Sequence, residues 1–276
     1  MSDARPLDRA ALLESMVQLA IEAGTVVWDH YWRGVQVAHK ADDSPVTAAD
    51  HASEALILAG LRRACPHLPV VAEEEAAAGR IPAVSSAFLL VDPLDGTKEF
   101  IRGGTDFTIN IALIEAAEPS LGVVYAPARS ALYWGDVQAG QAWQALQPPH
   151  EPRTAGVAIR VRTPPKALCA VASKSHNTPA TEAWLKAAGV SERVAIGSSL
   201  KFALIASGLA DVYPRPAPTM EWDTAAGDAL LRAAGGHVYD PDGRPLQYGK
   251  PQFRNSGFVA SGPYQPAPLR PFMAAK

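Results

Sequence analysis

The run AFLLV at residues 87–91 leads directly into VDPLDGTKEF, and no other stretch limits the architecture so tightly. A continuous apolar run of strand length has no polar side to offer water, so it reads as a strand covered on both faces. Covering both faces requires further layers on either side of the sheet. The chain has the means: 276 residues, 48% of them apolar and 19% charged, suffice for a sizeable core, arranged as one compact domain or as two lobes folded together.

The end of that strand is the chemically loaded part. Asp92 and Asp95 stand three apart around Pro93, where side chains on one face of a strand would recur every second residue. Pro93 donates no backbone hydrogen bond, so the strand is expected to end there and the chain to bend, turning both carboxylates toward one point. Two adjacent carboxylates repel unless a cation lies between them, and hard oxygen ligands suit Mg²⁺. The Leu94 carbonyl is a further oxygen at the bend. Gly96 and Thr97 are expected to open a short helix through Phe100, whose free amides suit a phosphate oxygen. Read in isolation, DPLDGT is also an ordinary surface turn.

Other acids stand at comparable places. VVAEEE ends a short strand, Val70–Ala72, at Glu73. In EWDTAAGDALLRAAGG, Asp223 precedes a small-residue helix. KADDSPVTAAD ends at Asp50. Each has a plain alternative as a solvated loop, a helix N-cap or a turn.

Along the chain, apolar residues at helical spacing predict a helix over 7–32, and a second follows from near Thr47 to Ala64. FTINIALI, LGVVYAP, ALYWG and QAW are strands whose short connections favour antiparallel pairing. QPPHEPRT (147–154) marks a lobe boundary, giving an N-terminal lobe 1–146 and a C-terminal lobe 147–276. Strands alternate with helices in the second lobe, which predicts a more parallel sheet there. The proline-rich end, GPYQPAPLRPFMAAK, reads as a loosely held tail.

The net charge of −3 supplies no general attraction to a nucleic acid polymer or an anionic membrane, so phosphate recognition must be local. Cys65 and Cys169 form neither a metal-ligand spacing nor a disulfide framework, which points to a reducing cytosol. The first residues do not read as a secretory signal, and no apolar run reaches transmembrane length.

With AEEE (72–75), DPLDGTKEF (92–100) and WDTAAGDALLRAAGG (222–236) in this order, the chain resembles the inositol monophosphatase superfamily of Mg²⁺-dependent, lithium-sensitive phosphatases over roughly residues 10–262. Within it, SPVTAAD, SKSH, GSSLKF and YPRPAPT are similar to the bacterial 3'(2'),5'-bisphosphate nucleotidases, cytoplasmic hydrolases that clear adenosine 3',5'-bisphosphate, a by-product of sulfate activation. The resemblance implies an α/β fold: an α+β layered sandwich, αβαβα, of the inositol monophosphatase and fructose-1,6-bisphosphatase kind, with two lobes in one chain. It implies two or three Mg²⁺ ions held by Glu73, Asp92, Asp95, Asp223 and the Leu94 carbonyl, with Asp50 and Thr97 as catalytic residues that orient and deprotonate the attacking water. The substrate is then expected to touch Glu73, Leu94, Asp95, Gly96, Thr97 and Asp223 at the phosphate, and His176, Ser198, Lys201 and Arg215 at the nucleotide or its second phosphate. Ser198 is equally placed to cap a helix, Lys201 to be a solvated face residue, and Arg215 to brace its own loop. The implied partner is a small phosphorylated nucleotide. No anchor is visible for the peripheral association with the inner membrane suggested for some relatives.

Three rivals remain on the sequence. A haloacid dehalogenase-type phosphatase uses Asp-x-Asp, one residue shorter than the spacing of Asp92 and Asp95. An inositol monophosphatase or fructose bisphosphatase keeps the chemistry and changes the substrate. A nucleotide-binding scaffold keeps the pocket and loses turnover.

Overall fold

The computed structural model describes residues 7–34, 37–40, 45–172 and 178–273. The first helical pattern becomes α1 (Arg9–Arg33), with the Asp8 carboxylate accepting from the Ala11 amide at 3.0 Å. A two-stranded ribbon, β1 (Val37–His39) and β2 (Pro45–Thr47), leads into α2 (Ala48–Ala64). Then β3 (Val70–Ala72) runs into α3 (Glu73–Ala77), and β4 (Ala87–Asp95) into α4 (Thr97–Ile101). An antiparallel meander follows in β5 (Thr108–Glu115), β6 (Glu118–Ala126), β7 (Ala131–Asp136), β8 (Gln141–Leu146) and β9 (Val157–Ile159). Among the described residues these strands form a seven-stranded sheet in sequence order, parallel at β3/β4 and antiparallel thereafter. Strand β9 lies beyond the boundary expected at 147, so the first sheet reaches into the segment assigned to the second lobe.

The second half contains β10 (Leu168–Ala172), α5 (Pro179–Ala187), β11 (Val190–Ala195), α6 (Leu200–Ala206), β12 (Val212–Arg215), β13 (Thr219–Met220), α7 (Trp222–Ala233), β14 (His237–Tyr239), β15 (Arg254–Asn255) and β16 (Phe258–Ser261). Its five-stranded sheet runs β11-β10-β12-β16-β14. The first three strands are parallel, as the strand-helix alternation predicts. Strand β16 is antiparallel to both its neighbours, which makes the sheet mixed. The partners β13 and β15 pair separately.

The unbroken apolar run of β4 is explained by its position between two layers. Leu89 and Val91 pack with α1 and α2, whereas Phe88 and Leu90 face the opposite core with α6, α7 and the second sheet. Helix α7 fits between the sheets because it is built of small residues: Ala225, Ala226, Gly227 and Ala229 are all buried. It approaches so closely that a Cβ on Gly122 of β6 would meet the Ala226 carbonyl oxygen at 2.4 Å. Beyond the second sheet, Trp184 and Leu185 of α5 pack on Ala170, Val212 and Val259. The order is therefore helix, sheet, helix, sheet, helix, the αβαβα sandwich expected above.

By length and composition α1 would suffice to cross a bilayer, but here it is a core helix, with Met16, Val17, Ala20 and Val27 fully enclosed. The C-terminal segment is not loose as far as residue 273. Leu269 is buried, the Ala267 carbonyl accepts from Trp184 Nε1 at 3.1 Å, and Arg270 makes a bidentate pair with Asp242 at 2.8 Å. Its proline-rich composition hid the apolar anchors that dock it, Leu269 with Phe272 and Met273 beside it.

Candidate active site

The bend within β4 is a ladder irregularity and not the expected end of the strand. Asp92 pairs with Asn110 and Asp95 with Thr108, with the register shifting between them, so the strand continues past Pro93. The Asp92 side chain accepts from the Leu94 amide at 3.0 Å, and the Pro93 carbonyl accepts from Ser53 Oγ at 2.8 Å, which fixes the bulge from both sides. Gly96 then adopts φ 94°, where a Cβ would meet the Asp106 carbonyl at 2.7 Å, and α4 begins at Thr97 as expected.

The other candidates arrive from different elements. In β3, Ala72 lies opposite Val91, which brings Glu73, at the start of α3, beside the β4 acids. Glu54 of α2 seats that helix by accepting from the Glu74 and Glu75 amides at 2.8 and 3.0 Å. Asp50 is set by a capping box. One oxygen accepts from the Thr47 amide (2.8 Å) and hydroxyl (2.6 Å), and the other lies 3.2 Å from Thr97 Oγ1. The Thr97 hydroxyl also reaches the Leu94 carbonyl at 3.1 Å. Asp223, in the first turn of α7, accepts from the Met220 amide at 3.0 Å and from the Thr219 hydroxyl.

Glu73, Asp95, Gly96, Thr97 and Asp223 line one cavity of about 230 Å³, and Ser198, Lys201 and Arg215 line it as well. Asp92 lies buried behind it, within electrostatic reach of Glu73, Asp95 and Asp223. The site thus joins carboxylates carried by the first sheet and α7 to cations carried by α6 and β12. His176 falls at 173–177, outside the described residues.

Electrostatics sharpen the picture. Burial pushes the Glu73 carboxyl up to about 8, aided by the charge of Asp223 and opposed by Lys40. Burial, with the charge of Asp223, pushes Asp95 up to about 6, despite Lys201 and the Ser199 amide. Asp92 is driven well above the carboxylate range by burial and by Glu73, Asp95 and Asp223 together. Burial also raises Asp50, against its bonds from Thr47. Such a group cannot hold all its negative charge without a cation.

Among the described residues no three His, Cys, Asp or Glu side chains are gathered tightly enough to hold an ion as they stand. The donor set nevertheless fits a divalent cation: carboxylates and a carbonyl, all hard oxygens, the carboxylates raised in pKa chiefly by burial.

Two neighbours of the acids carried little signal in the sequence. Lys40 places Nζ 2.6 Å from Glu73 and 2.7 Å from Glu74, an ion pair across distant chain segments that a lone lysine does not announce. Burial would lower its pKa, but these carboxylates outweigh that and raise it. Ser199 donates its amide to Asp95 at 2.6 Å and its hydroxyl to Asn110 at 2.6 Å. The pair of serines in GSSLK is the available hint for Ser199.

Residues 8–269 match the inositol monophosphatase family. The chain is 43% identical over 250 residues to the 3'(2'),5'-bisphosphate nucleotidase CysQ of Salmonella typhimurium, covering 90% of this chain and 98% of that protein. It is 42% identical over 253 residues to the CysQ of Escherichia coli K12, covering 91% and 99%. Among solved structures it is similar to CysQ from Bacteroides thetaiotaomicron, described as a bacterial member of the inositol monophosphatase family, at 34% identity and TM-score 0.77 over 94% of this chain and 99% of that one. An inositol monophosphatase from Anabaena matches at 26% identity and TM-score 0.73, covering 93% of each chain.

Proposed function

The chain belongs to the inositol monophosphatase family, and from that premise we propose that it is a Mg²⁺-dependent 3'(2'),5'-bisphosphate nucleotidase, releasing the 3'-phosphate of adenosine 3',5'-bisphosphate to leave AMP. The observation that carries the reading is one cavity lined by both signs of charge: Glu73, Asp95 and Asp223 share it with Lys201 and Arg215. The acidic residues suit a scissile phosphate shared with cations, and the basic residues suit a second phosphate. Arg215 Nε is buried without a partner among the described residues, and its Nη1 reaches Tyr213 OH at a long 3.4 Å, so much of its donor fork is open to an anion. Lys201 is 3% exposed, with Nζ 5.3 Å from the centre of the Tyr213 ring, which leaves the ammonium poorly hydrated.

In this proposal Glu73, Asp92, Asp95, Asp223 and the Leu94 carbonyl hold two or three Mg²⁺ ions. Bound there, the ions would acidify water and offset charge on the attacking and departing oxygens. The chain's own residues handle the proton. Thr97 donates its hydroxyl hydrogen to Asp50 and offers an oxygen lone pair to an attacking water, and Asp50, fixed by Thr47, is the acceptor at the end of that path. The water oxygen bonds to phosphorus as the bond to the 3' oxygen breaks; the departing 3' oxygen takes its proton from solvent water, and the proton gathered on Asp50 returns to solvent.

The test is phosphate release from adenosine 3',5'-bisphosphate, inositol 1-phosphate and fructose 1,6-bisphosphate, each with Mg²⁺ and with a chelator. The expected result is a clear preference for the nucleotide and no turnover without metal. Preference for inositol 1-phosphate would move the assignment to a monophosphatase, and nucleotide binding with no turnover would make the protein a scaffold.

A further inference from the structure

Ser198 occupies the left-handed region (φ 49°), a backbone conformation that disfavours a side chain and persists where neighbours enforce it. Both neighbours are fastened. The Gly197 amide donates to Asp106 Oδ2 at 2.9 Å, and a Cβ on Gly197 would meet Asp106 Cβ at 2.7 Å. Ser199, 2% exposed, donates its amide to Asp95 Oδ2 and its hydroxyl to Asn110 Oδ1, each at 2.6 Å, and Thr108 Oγ1 lies 2.8 Å from the same hydroxyl. Asn110 and Thr108 are the β5 residues paired with Asp92 and Asp95. One buried serine therefore contacts an active-site aspartate directly and the ladder partners of both β4 aspartates.

Lys201 Nζ, on the same turn, donates to the Ser198 carbonyl at 2.5 Å, and Ser198 and Lys201 both line the cavity. The turn that carries Lys201 is thus tied to Asp95 through Ser199. We propose that Ser199 is a positioning residue that locks the Ser198–Lys201 turn in register with Asp95 and so sets the preference for a substrate with a second phosphate. This rests on the nucleotidase reading above. A substrate gripped at both phosphates needs the acidic and basic groups at a fixed separation, whereas one gripped at a single phosphate tolerates slack between them.

The experiment measures kcat and KM for adenosine 3',5'-bisphosphate and for adenosine 3'-monophosphate, which lacks the 5'-phosphate, in the wild type, Ser199→Ala and Thr108→Val. A thermal unfolding curve is recorded for each. Ser199→Ala is expected to lower kcat/KM for the bisphosphate by about tenfold or more, the scale at which supporting positions act. The fall for the monophosphate is expected to be smaller, so the ratio between substrates drops. Thr108→Val removes one contact while keeping the volume and moves the ratio the same way, by less. Equal losses on both substrates, or an unchanged ratio, overturn the proposal and make Ser199 a purely structural residue. If Ser199→Ala does not fold, the ratio for Thr108→Val decides. A wild type indifferent to the 5'-phosphate is a separate failure, that of the nucleotidase reading, and is visible before any variant is made.

Discussion

Helix α7 carries two aspartates in very different company. Asp228 accepts Nε of Arg232 at 2.8 Å and Tyr248 OH at 2.9 Å, so a permanent cation from the same helix answers its charge. Asp223, nearer the N-terminus, is bonded by an amide and a hydroxyl, and adds its charge to those of Asp92, Asp95 and Glu73. Burial raises the pKa of both. An inward-facing acid with its own arginine is a structural pair; several that face one another make a site that a divalent cation completes.

Three experiments separate these two kinds of acid, beginning with the largest effect. Asp92→Asn is expected to cut phosphate release beyond the roughly 10–100-fold that a supporting residue costs, while the melting temperature of the metal-free protein holds or rises, since a repelling charge is gone. Near-normal turnover by this variant would remove Asp92 from the ligand set. Asp228→Asn should do the reverse. It leaves the mostly buried Arg232 guanidinium with only the exposed Glu118, 3.7 Å away, as a counter-charge and costs about 3–5 kcal/mol in denaturant unfolding, with kcat of the folded protein preserved.

The smallest effect is a dependence on pH. In the metal-free protein Glu73 titrates near 8, Glu54 near 7 and Asp95 near 6, all above their ordinary values, chiefly through burial. Between about pH 4.5 and 8 the folded chain therefore binds more protons than the unfolded one, and stability falls as pH rises. Added Mg²⁺ favours the ionised carboxylates and should flatten or invert that slope in melting curves recorded across the same range. An identical slope with and without Mg²⁺ would show that the cluster does not take the ion.

Part of the site, though not this contrast, was legible in advance. The i, i+3 spacing of Asp92 and Asp95 around a proline announced a bend, although the strand does not end there but continues through a register shift, and AFLLV announced a strand covered twice. The caps were readable too, because Thr47, Asp50 and the start of α2 interact over three residues. What escaped notice was nonlocal or a matter of degree. The pairing of Lys40 with Glu73, the anchoring of Ser199 on β5, the antiparallel insertion of β16 and the docking of Leu269 all join segments far apart in the chain.

Local chemistry was thus written in the residues themselves: hydrophobic periodicity, capping side chains, proline and glycine at the bulge, and the identity of the acids, all acting over a few positions of backbone. Which acid keeps a private cation and which shares its charge with other acids depended on the packing of α7 between two sheets. That packing brings Asp223 to the β4 bulge and buries Asp228 with Arg232 on one short helix, and burial and Coulomb energy depend on distance in space, not on separation along the chain.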